Sequence, residues 1–311
     1  MEISTPLDDS PEAAHTAGVV NAASDAIRAV LSSHVVNAAR AAARRPVANV
    51  LLLRGPGSVL DEAPFGARHP QVSPGCVVAP TRIITGLALS LGMDTITAPG
   101  ATGDYRTDLA AKAGAMATAV GPSGDHRFGL LHVKAVDDAG HDGNVAYRVA
   151  YTAACDAMVG QLAARLWAAG GGGGGGGSGA CGEPRYVIAV TGDHSTPVLR
   201  GDHSCEPVPV VMAHLADYIT AIGGDSAARG WPLGPIPTPE FPAPPLPPPP
   251  MTPRRLPCGA LAPVAGDGVA SFDELAAAGG GWGRFRGGEL MELLKKFAAT
   301  QPETTPHTGG G

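Results

Sequence analysis

Acidic and imidazole side chains are concentrated in three short segments in the middle of the chain. Five of its ten histidines fall between His126 and His203. The segments cover residues 132–143, 191–197 and 202–210, and each follows or leads into an apolar run typical of a β-strand. Open α/β sheets place their sites at the ends of strands, so the pattern predicts one shared site.

The spacing within these segments suits a divalent cation. Asp137 and His141 are four residues apart, Asp193 and His194 are adjacent, and His203 follows nine residues later. Carboxylates and imidazoles bind borderline or hard cations such as Mn, Zn or Mg. Two Asp–His groups suggest two metals in one site, as in enzymes that clamp a transferring phosphoryl group. The alternative is that these are polar loop residues that cap turns at strand ends, where Asp and Gly are common.

Helix and strand signals alternate around these segments, which predicts an α/β fold with a mostly parallel sheet between helices. The predicted helices cover residues 10–33, 34–44, 81–91, 107–119, 144–169, 214–222 and 289–298. The predicted strands cover residues 47–53, 76–78, 94–97, 128–134, 186–190 and 208–212. Ser10 is expected to cap the first helix, and Thr107 or Asp104 the helix at 107–119. The segment that carries Asp137 and His141 is expected to be a loop.

The composition argues against several classes of protein. The net charge is −6 and charged residues make up 16% of the chain, so no basic surface for nucleic acid is indicated. No apolar run reaches the length of a membrane span, and no secretory signal follows Met1. Five scattered cysteines suit a reducing compartment, and no pair has zinc-finger spacing. The expected location is the cytoplasm, or a plastid if a longer precursor exists.

Two low-complexity tracts interrupt the pattern. Residues 170–180 are rich in glycine and residues 231–253 in proline, and both are interpreted as insertions. The glycine tract lacks the lysine that a phosphate-binding P-loop requires. A metalloenzyme domain is expected at 1–212 and 266–299, and 300–311 is expected to be a disordered tail.

The motifs resemble those of a known family. "VKAVDDAGHDG", "YVIAVTGDHSTP" and "DHSCEPVPV" are similar to the metal-binding signatures of the cofactor-independent phosphoglycerate mutases of the archaeal type. "PVANVLLLRGPG", "GLALSLGMDTITAPGATGDYRTDLAAKA" and "GWGRFRGGELM" occur in the same order as in that family. The resemblance covers most of residues 6–212 and returns at about 266–299. It implies the alkaline phosphatase-like fold, a three-layer α/β sandwich.

The resemblance also implies a set of metal ligands. Asp137, His141 and His203 would hold one metal, and Asp193 and His194 would hold part of a second. The two ions would be Mn or Mg, with Zn or Co as further options, and 2,3-bisphosphoglycerate would not be needed. In the family the second metal also takes an early Asp and the nucleophilic Ser. Neither has a counterpart in this sequence, so no catalytic nucleophile is expected in the chain.

Four basic residues are candidates for binding the substrate. Lys134 precedes the metal-binding motif, Arg54 follows an apolar run, and Arg284 and Arg286 lie in "GRFRG". Basic side chains bind phosphate and carboxylate groups. The alternatives are a solvated lysine, a surface arginine in a turn and arginines at the start of the last helix.

Three hypotheses for the function follow from the resemblance. The first is a glycolytic mutase that interconverts 3-phosphoglycerate and 2-phosphoglycerate, a small phosphorylated three-carbon acid, through a phosphoserine. The second is a related metal-dependent phosphatase or phosphotransferase. The third is a non-catalytic protein that binds one metal. No nucleic acid or membrane partner is expected, and the oligomeric state stays open.

Overall fold

A computed structural model describes residues 3–53, 57, 62–170, 186–239 and 272–300. The chain divides into two compact units, residues 1–61 and residues 62–311. The described helices are α1 Pro11–Ser33, α2 Val35–Ala42, α3 Phe65–Arg68, α4 Arg82–Ser90, α5 Leu109–Val120, α6 Ala135–His141, α7 Val145–Ala169, α8 Leu215–Ala221, α9 Gly224–Arg229, α10 Glu274–Ala277 and α11 Leu290–Ala298. The strands are β1 Gly75–Val78, β2 Asp94–Thr95, β3 Phe128–Leu131, β4 Val187–Thr191 and β5 Val210–His214, and short 3₁₀ turns lie at Pro70–Val72 and Gly287–Glu289.

The first unit consists of α1 and α2 with an extended segment after them. Ser10 caps α1 as predicted, because its hydroxyl accepts a hydrogen bond from the amide of Ala13 at 3.1 Å. The buried strand predicted at 47–53 is wrong: these residues form no strand, and Leu52 is 70% exposed. The side chain of Asn37 donates a hydrogen bond to the carbonyl oxygen of Ala48 and accepts one from its backbone amide instead. An apolar run becomes a strand only where a neighbouring strand accepts its backbone hydrogen bonds.

The second unit is built on a parallel sheet with the strand order β2–β1–β3. All four residues of the central β1 are buried, as expected for a parallel strand covered on both faces. Cys76 and Val78 pack with Met116 of α5 on one face. Val77 packs on the other face with Ala88 of α4. The predicted α/β class is therefore confirmed, with helices on both faces of the sheet.

A second sheet pairs β4 and β5 antiparallel, with Val187 opposite His214 and Thr191 opposite Val210. The long helix α7 joins the core regions, because Leu166 near its end packs with Leu215 and Ile219 of α8. Among the helices that the structure describes, none has the length and apolar character needed to cross a bilayer.

The caps of two helices position the elements around the candidate site. Asn144 caps α7, and its side chain accepts from the amide of Tyr147 at 3.0 Å. Asp108 caps α5 and accepts from the amide of Ala111 at 2.8 Å. The predicted caps Thr107 and Asp104 are therefore wrong. Thr107 bonds the amide of Thr102 instead, and the side chain of Asp104 bonds within its own loop.

Candidate metal centre

Helix α6 carries the first two candidate ligands. The loop expected at this segment is wrong, since Ala135–His141 is α-helical. Asp137 and Asp138 lie in its first turn and His141 in its last, which is the distribution of charge that a helix dipole favours. Residues four apart lie on the same helical face, so the helix brings Asp137 and His141 together. Their side chains meet with Oδ2 and Nε2 3.4 Å apart.

The remaining candidate ligands come from the connection between β4 and β5. Asp193 and His194 follow β4, separated from its last residue by Gly192 alone. Residues 197–201 then turn the chain back, and an antiparallel bridge pairs Ser195 with Ser204. This bridge lies beside His194 and His203, whose ring centroids are 3.7 Å apart.

Asp137, His141 and His203 converge on one point. One ligand atom from each lies within 4.8 Å of the others. Nε2 of His203 is 3.2 Å from Nε2 of His141 and 3.6 Å from Oδ1 of Asp137. In a tetrahedral site with metal–ligand distances of about 2.0–2.1 Å, neighbouring ligand atoms are about 3.3–3.4 Å apart. The carboxylate lies near this spacing from both rings, through Oδ2 for His141 and through Oδ1 for His203.

The tautomer of His141 agrees with a role as ligand. Its Nδ1 is 3.0 Å from the carbonyl oxygen of Gly201, which can only accept, so Nδ1 carries the proton and donates it. In the neutral imidazole the lone pair then resides on Nε2, which faces His203. A carbonyl that fixes the distal nitrogen in this way is the usual support of a metal-binding histidine.

Two donors hold the carboxylate of Asp137. The ammonium of Lys134 donates to its Oδ2 at 2.6 Å, and the hydroxyl of Thr196 donates to its Oδ1 at 2.6 Å. Burial favours the neutral acid, but these hydrogen bonds outweigh it and lower the pKa of Asp137. Asp137 is therefore ionised at neutral pH, as a metal ligand must be.

Asp193 and His194 form a second, less complete group. Their Oδ2 and Nε2 atoms are 3.3 Å apart, and the side chain of Asp193 is 66% exposed. Among the residues that the structure describes, the only group of three or more candidate ligands is the one around Asp137. The two residues thus offer two ligands to a cation that needs more.

The predicted substrate-binding residues are distributed differently. Lys134 lies at the start of α6. Besides its bond to Asp137, its ammonium donates a hydrogen bond to Oδ1 of Asp138 at 2.8 Å. Arg284 and Arg286 are exposed in the segment before α11. Neither guanidinium forms an ion pair with the cluster in the part of the chain that the structure describes. Arg54 lies outside the described residues.

Sequence reasoning missed the residues that support the cluster. Thr196, two residues after His194, is buried and bonds Asp137. Arg148 of α7 donates a hydrogen bond to the carbonyl of Thr196. Gly140 lets α6 approach that same residue. Thr196 and Gly140 stood inside the motifs, but the contacts of Thr196 with Asp137 and with Gly140 join segments more than 50 residues apart and leave no local signal.

His132 was also missed. It follows β3, and its amide donates to the carbonyl of Val78 at 3.0 Å. Its buried Nδ1 has no hydrogen-bond partner among the described residues. Burial lowers the pKa of His132, partly opposed by the charge of Asp193. The ring is therefore a neutral group close to the candidate ligands.

Comparison with known proteins supports the resemblance. No family model matches the chain. The 2,3-bisphosphoglycerate-independent phosphoglycerate mutase of Metallosphaera sedula is 37% identical over 226 residues, which are 73% of this chain and 50% of the relative. The 2,3-bisphosphoglycerate-independent phosphoglycerate mutase 1 of Methanothermobacter thermautotrophicus is 31% identical over 288 residues, which are 93% of this chain and 53% of the relative. The chain thus spans about half the length of the curated relatives it matches.

A solved structure shows the same fold. The match to the PH0037 protein from Pyrococcus horikoshii covers 95% of this chain and 60% of the PH0037 chain, with 25% identity and a TM-score of 0.62. Over the matched residues the chain is similar to the archaeal 2,3-bisphosphoglycerate-independent phosphoglycerate mutases, in agreement with the resemblance of its motifs.

Proposed function

We propose that this chain supplies the divalent-metal centre of a 2,3-bisphosphoglycerate-independent phosphoglycerate mutase. That enzyme moves a phosphoryl group between the 3-oxygen and the 2-oxygen of glycerate. The observation that carries the proposal is the convergence of Asp137, His141 and His203, with ligand atoms 3.2–3.6 Å apart. The names of the relatives, at 31% and 37% identity, support phosphoglycerate as the proposed substrate.

The donor set favours a transition metal over magnesium. Two imidazoles and one carboxylate suit Zn, Co or Mn, whereas magnesium prefers oxygen ligands at octahedral spacing. When bound, such an ion would withdraw charge from the phosphoryl oxygens during transfer.

The protein's own side chains would orient the substrate. The Lys134 ammonium has three N–H donors and uses two on Asp137 and Asp138. Among the described residues no partner uses its third donor, which we expect to contact a phosphate or carboxylate oxygen. Arg54, Arg284 and Arg286 are proposed as further anion contacts. The phosphoserine step stays a prediction, because no residue of this chain is assigned as the nucleophile.

Metal titration tests the centre directly. We expect calorimetry of the metal-free protein with Mn²⁺, Zn²⁺, Co²⁺ and Mg²⁺ to show a transition metal bound in preference to Mg²⁺. Four-ligand zinc sites bind with about 10–16 kcal/mol, so one lost ligand costs about 3 kcal/mol, or roughly a hundredfold in affinity. His141→Ala and His203→Ala should each show this loss. His126→Ala is the control, because His126 bonds Asp94 outside the cluster.

Turnover separates the three functional hypotheses. The loaded protein would be given 3-phosphoglycerate, with 2-phosphoglycerate and inorganic phosphate both measured. Formation of 2-phosphoglycerate that His141→Ala abolishes supports the mutase. Release of inorganic phosphate identifies a phosphatase instead. Binding without turnover identifies a non-catalytic metal protein, an alternative that the two-ligand group of Asp193 and His194 favours. Wild-type protein that binds no metal would refute the site itself.

A further inference from the structure

Thr196 touches both candidate metal groups. It is only 2% exposed, and its hydroxyl oxygen lies 2.6 Å from Oδ1 of Asp137 and 3.3 Å from Nδ1 of His194. Asp137 belongs to the first group and His194 to the second. We infer that Thr196 is a positioning residue that fixes the carboxylate of one site and the tautomer of the other. This inference rests on the proposed metal centre.

The number of protons decides the direction of each bond. A threonine hydroxyl has one hydrogen to donate, and an ionised carboxylate can only accept. The hydrogen of Thr196 therefore goes to Asp137, at the shorter of the two distances. The oxygen is left as an acceptor for His194, so Nδ1 of His194 must carry the proton.

This tautomer leaves the lone pair of a neutral His194 on Nε2. That atom lies 3.3 Å from Oδ2 of Asp193. A lone pair facing a carboxylate oxygen is repulsive unless a cation lies between them. With a cation, the same two atoms become neighbouring ligands at a suitable spacing. The hydroxyl of Thr196 thus presets His194 for metal binding before any metal arrives.

The backbone of Thr196 is also fixed. The Arg148 guanidinium donates to the carbonyl oxygen of Thr196. Gly140 of α6 faces the same carbonyl and the methyl group of Thr196, with no space for a Cβ atom. The backbone of Thr196 is therefore held by Arg148, and rotation of the side chain away from Asp137 would also move its methyl group away from Gly140. A residue held in this way can orient ligands at little cost in entropy when metal binds.

Three variants isolate the hydroxyl. Thr196→Val keeps the shape and removes the hydroxyl, whereas Thr196→Ser keeps the hydroxyl. Ser195→Ala is the matched control, because Ser195 is buried next to Thr196 but its hydroxyl faces the carbonyl of Glu206. Loss of a group that orients ligands weakens metal affinity by about 10–100-fold. We expect that loss for Thr196→Val with Zn²⁺ or Co²⁺, and affinity near wild type for the other two.

The second readout needs neither metal nor activity. Nitrogen-15 NMR of metal-free wild-type protein would report which nitrogen of neutral His194 carries the proton. We expect Nδ1–H in the wild type and in Thr196→Ser, and a mixture or Nε2–H in Thr196→Val. A wild-type His194 protonated on Nε2 overturns the inference, even if Thr196→Val does not fold. Unchanged affinity and tautomer in folded Thr196→Val overturn it as well.

The two proposals fail in different ways. If the wild type binds none of the metals, the metal centre is wrong, and the tautomer still reports whether Thr196 orients His194. If the wild type binds metal and Thr196→Val binds it equally, the metal centre stands and the role of Thr196 is refuted.

Discussion

Gly140→Ala tests how closely α6 must approach the turn that carries Thr196. A Cβ atom at Gly140 would lie 2.6 Å from Nη1 of Arg148 and 2.9 Å from Cγ2 of Thr196, and it would overlap the carbonyl oxygen of Thr196. The contact with the methyl group is 0.5 Å shorter than 3.4 Å, the lower end of ordinary van der Waals contact. The carbonyl is backbone and cannot rotate aside, so the helix and the turn must separate.

The net cost combines opposing effects. Overpacking of this kind costs about 1–3 kcal/mol. Alanine favours a helix interior over glycine by about 0.8–1.0 kcal/mol, which offsets part of that cost. The charged hydrogen bond from Arg148 to Thr196 lengthens as well. We expect Gly140→Ala to lose about 1–2 kcal/mol of unfolding free energy, a fall in Tm of roughly 2–8 °C for a unit of this size.

Two other glycines in helices provide controls. Gly86 of α4 has open space where a Cβ would be, so Gly86→Ala should stabilise the fold by about 0.5–1 kcal/mol. In Gly160→Ala of α7, the new Cβ would overlap the ring of Trp231. This variant should lose stability as Gly140→Ala does.

Metal affinity distinguishes the two destabilised variants. Gly140→Ala displaces Thr196 from Asp137, so its affinity for Zn²⁺ should fall about 10–100-fold. Gly160→Ala clashes with Trp231, outside the cluster, and should bind the metal as the wild type does. Thermal melts and calorimetric titration of the folded variants measure both quantities. Gly140→Ala with wild-type stability and affinity would show that the close approach of α6 does not matter.

Two further variants have expected outcomes of known sign. Lys112 is fully buried, and burial lowers its pKa to about 8; its ammonium donates to the carbonyl of His132. The unfolded chain keeps that proton to a higher pH, so the free energy of unfolding should rise from pH 8 to 9. Lys112→Met should lack this rise, and its free energy of unfolding at pH 7 should be higher than that of the wild type by up to about 3 kcal/mol. Above pH 9 the thiol of Cys155, with its pKa raised to about 11 by burial, acts in the opposite direction. Asn144→Ala removes the cap of α7 and should lower the free energy of unfolding, measured by chemical denaturation, by about 1 kcal/mol. A flat pH profile of wild-type stability would contradict the first expectation, and an unchanged denaturation midpoint in Asn144→Ala would contradict the second.

Local signals predicted most helices of this protein well. Ser10 and Asn144 stand where a side-chain oxygen can cap the following amides, and α1 and α7 begin directly after them. Such caps involve residues two or three positions apart, so the sequence contains both partners. The same holds for β1 and β3, whose apolar runs lie between turns. These elements form the core, and its α/β class followed from their alternation.

Elements that depend on distant partners were less predictable. The run at 47–53 is as apolar as β1, yet it forms no strand in the structure. The segment around Asp137 contains two glycines and several aspartates, which favour turns. It forms a helix nevertheless, with Ala135 and Ala139 buried against Tyr147 and Tyr151 of α7. Burial of one helical face outweighs weak local propensity when the partner helix is already in place.

The candidate centre shows why the resemblance predicted more than the spacing did. His141 and His203 are 62 residues apart, and no periodicity relates them. Their Nε2 atoms meet because the turn after Pro197 places the Gly201 carbonyl beside His141, and because the Ser195–Ser204 bridge returns the chain past His194. Each of these contacts joins backbone to backbone or backbone to ring, so many sequences could form them. The ligand side chains alone are restricted by chemistry, so the motifs could predict the candidate ligands, while the supporting contacts became visible only in the fold.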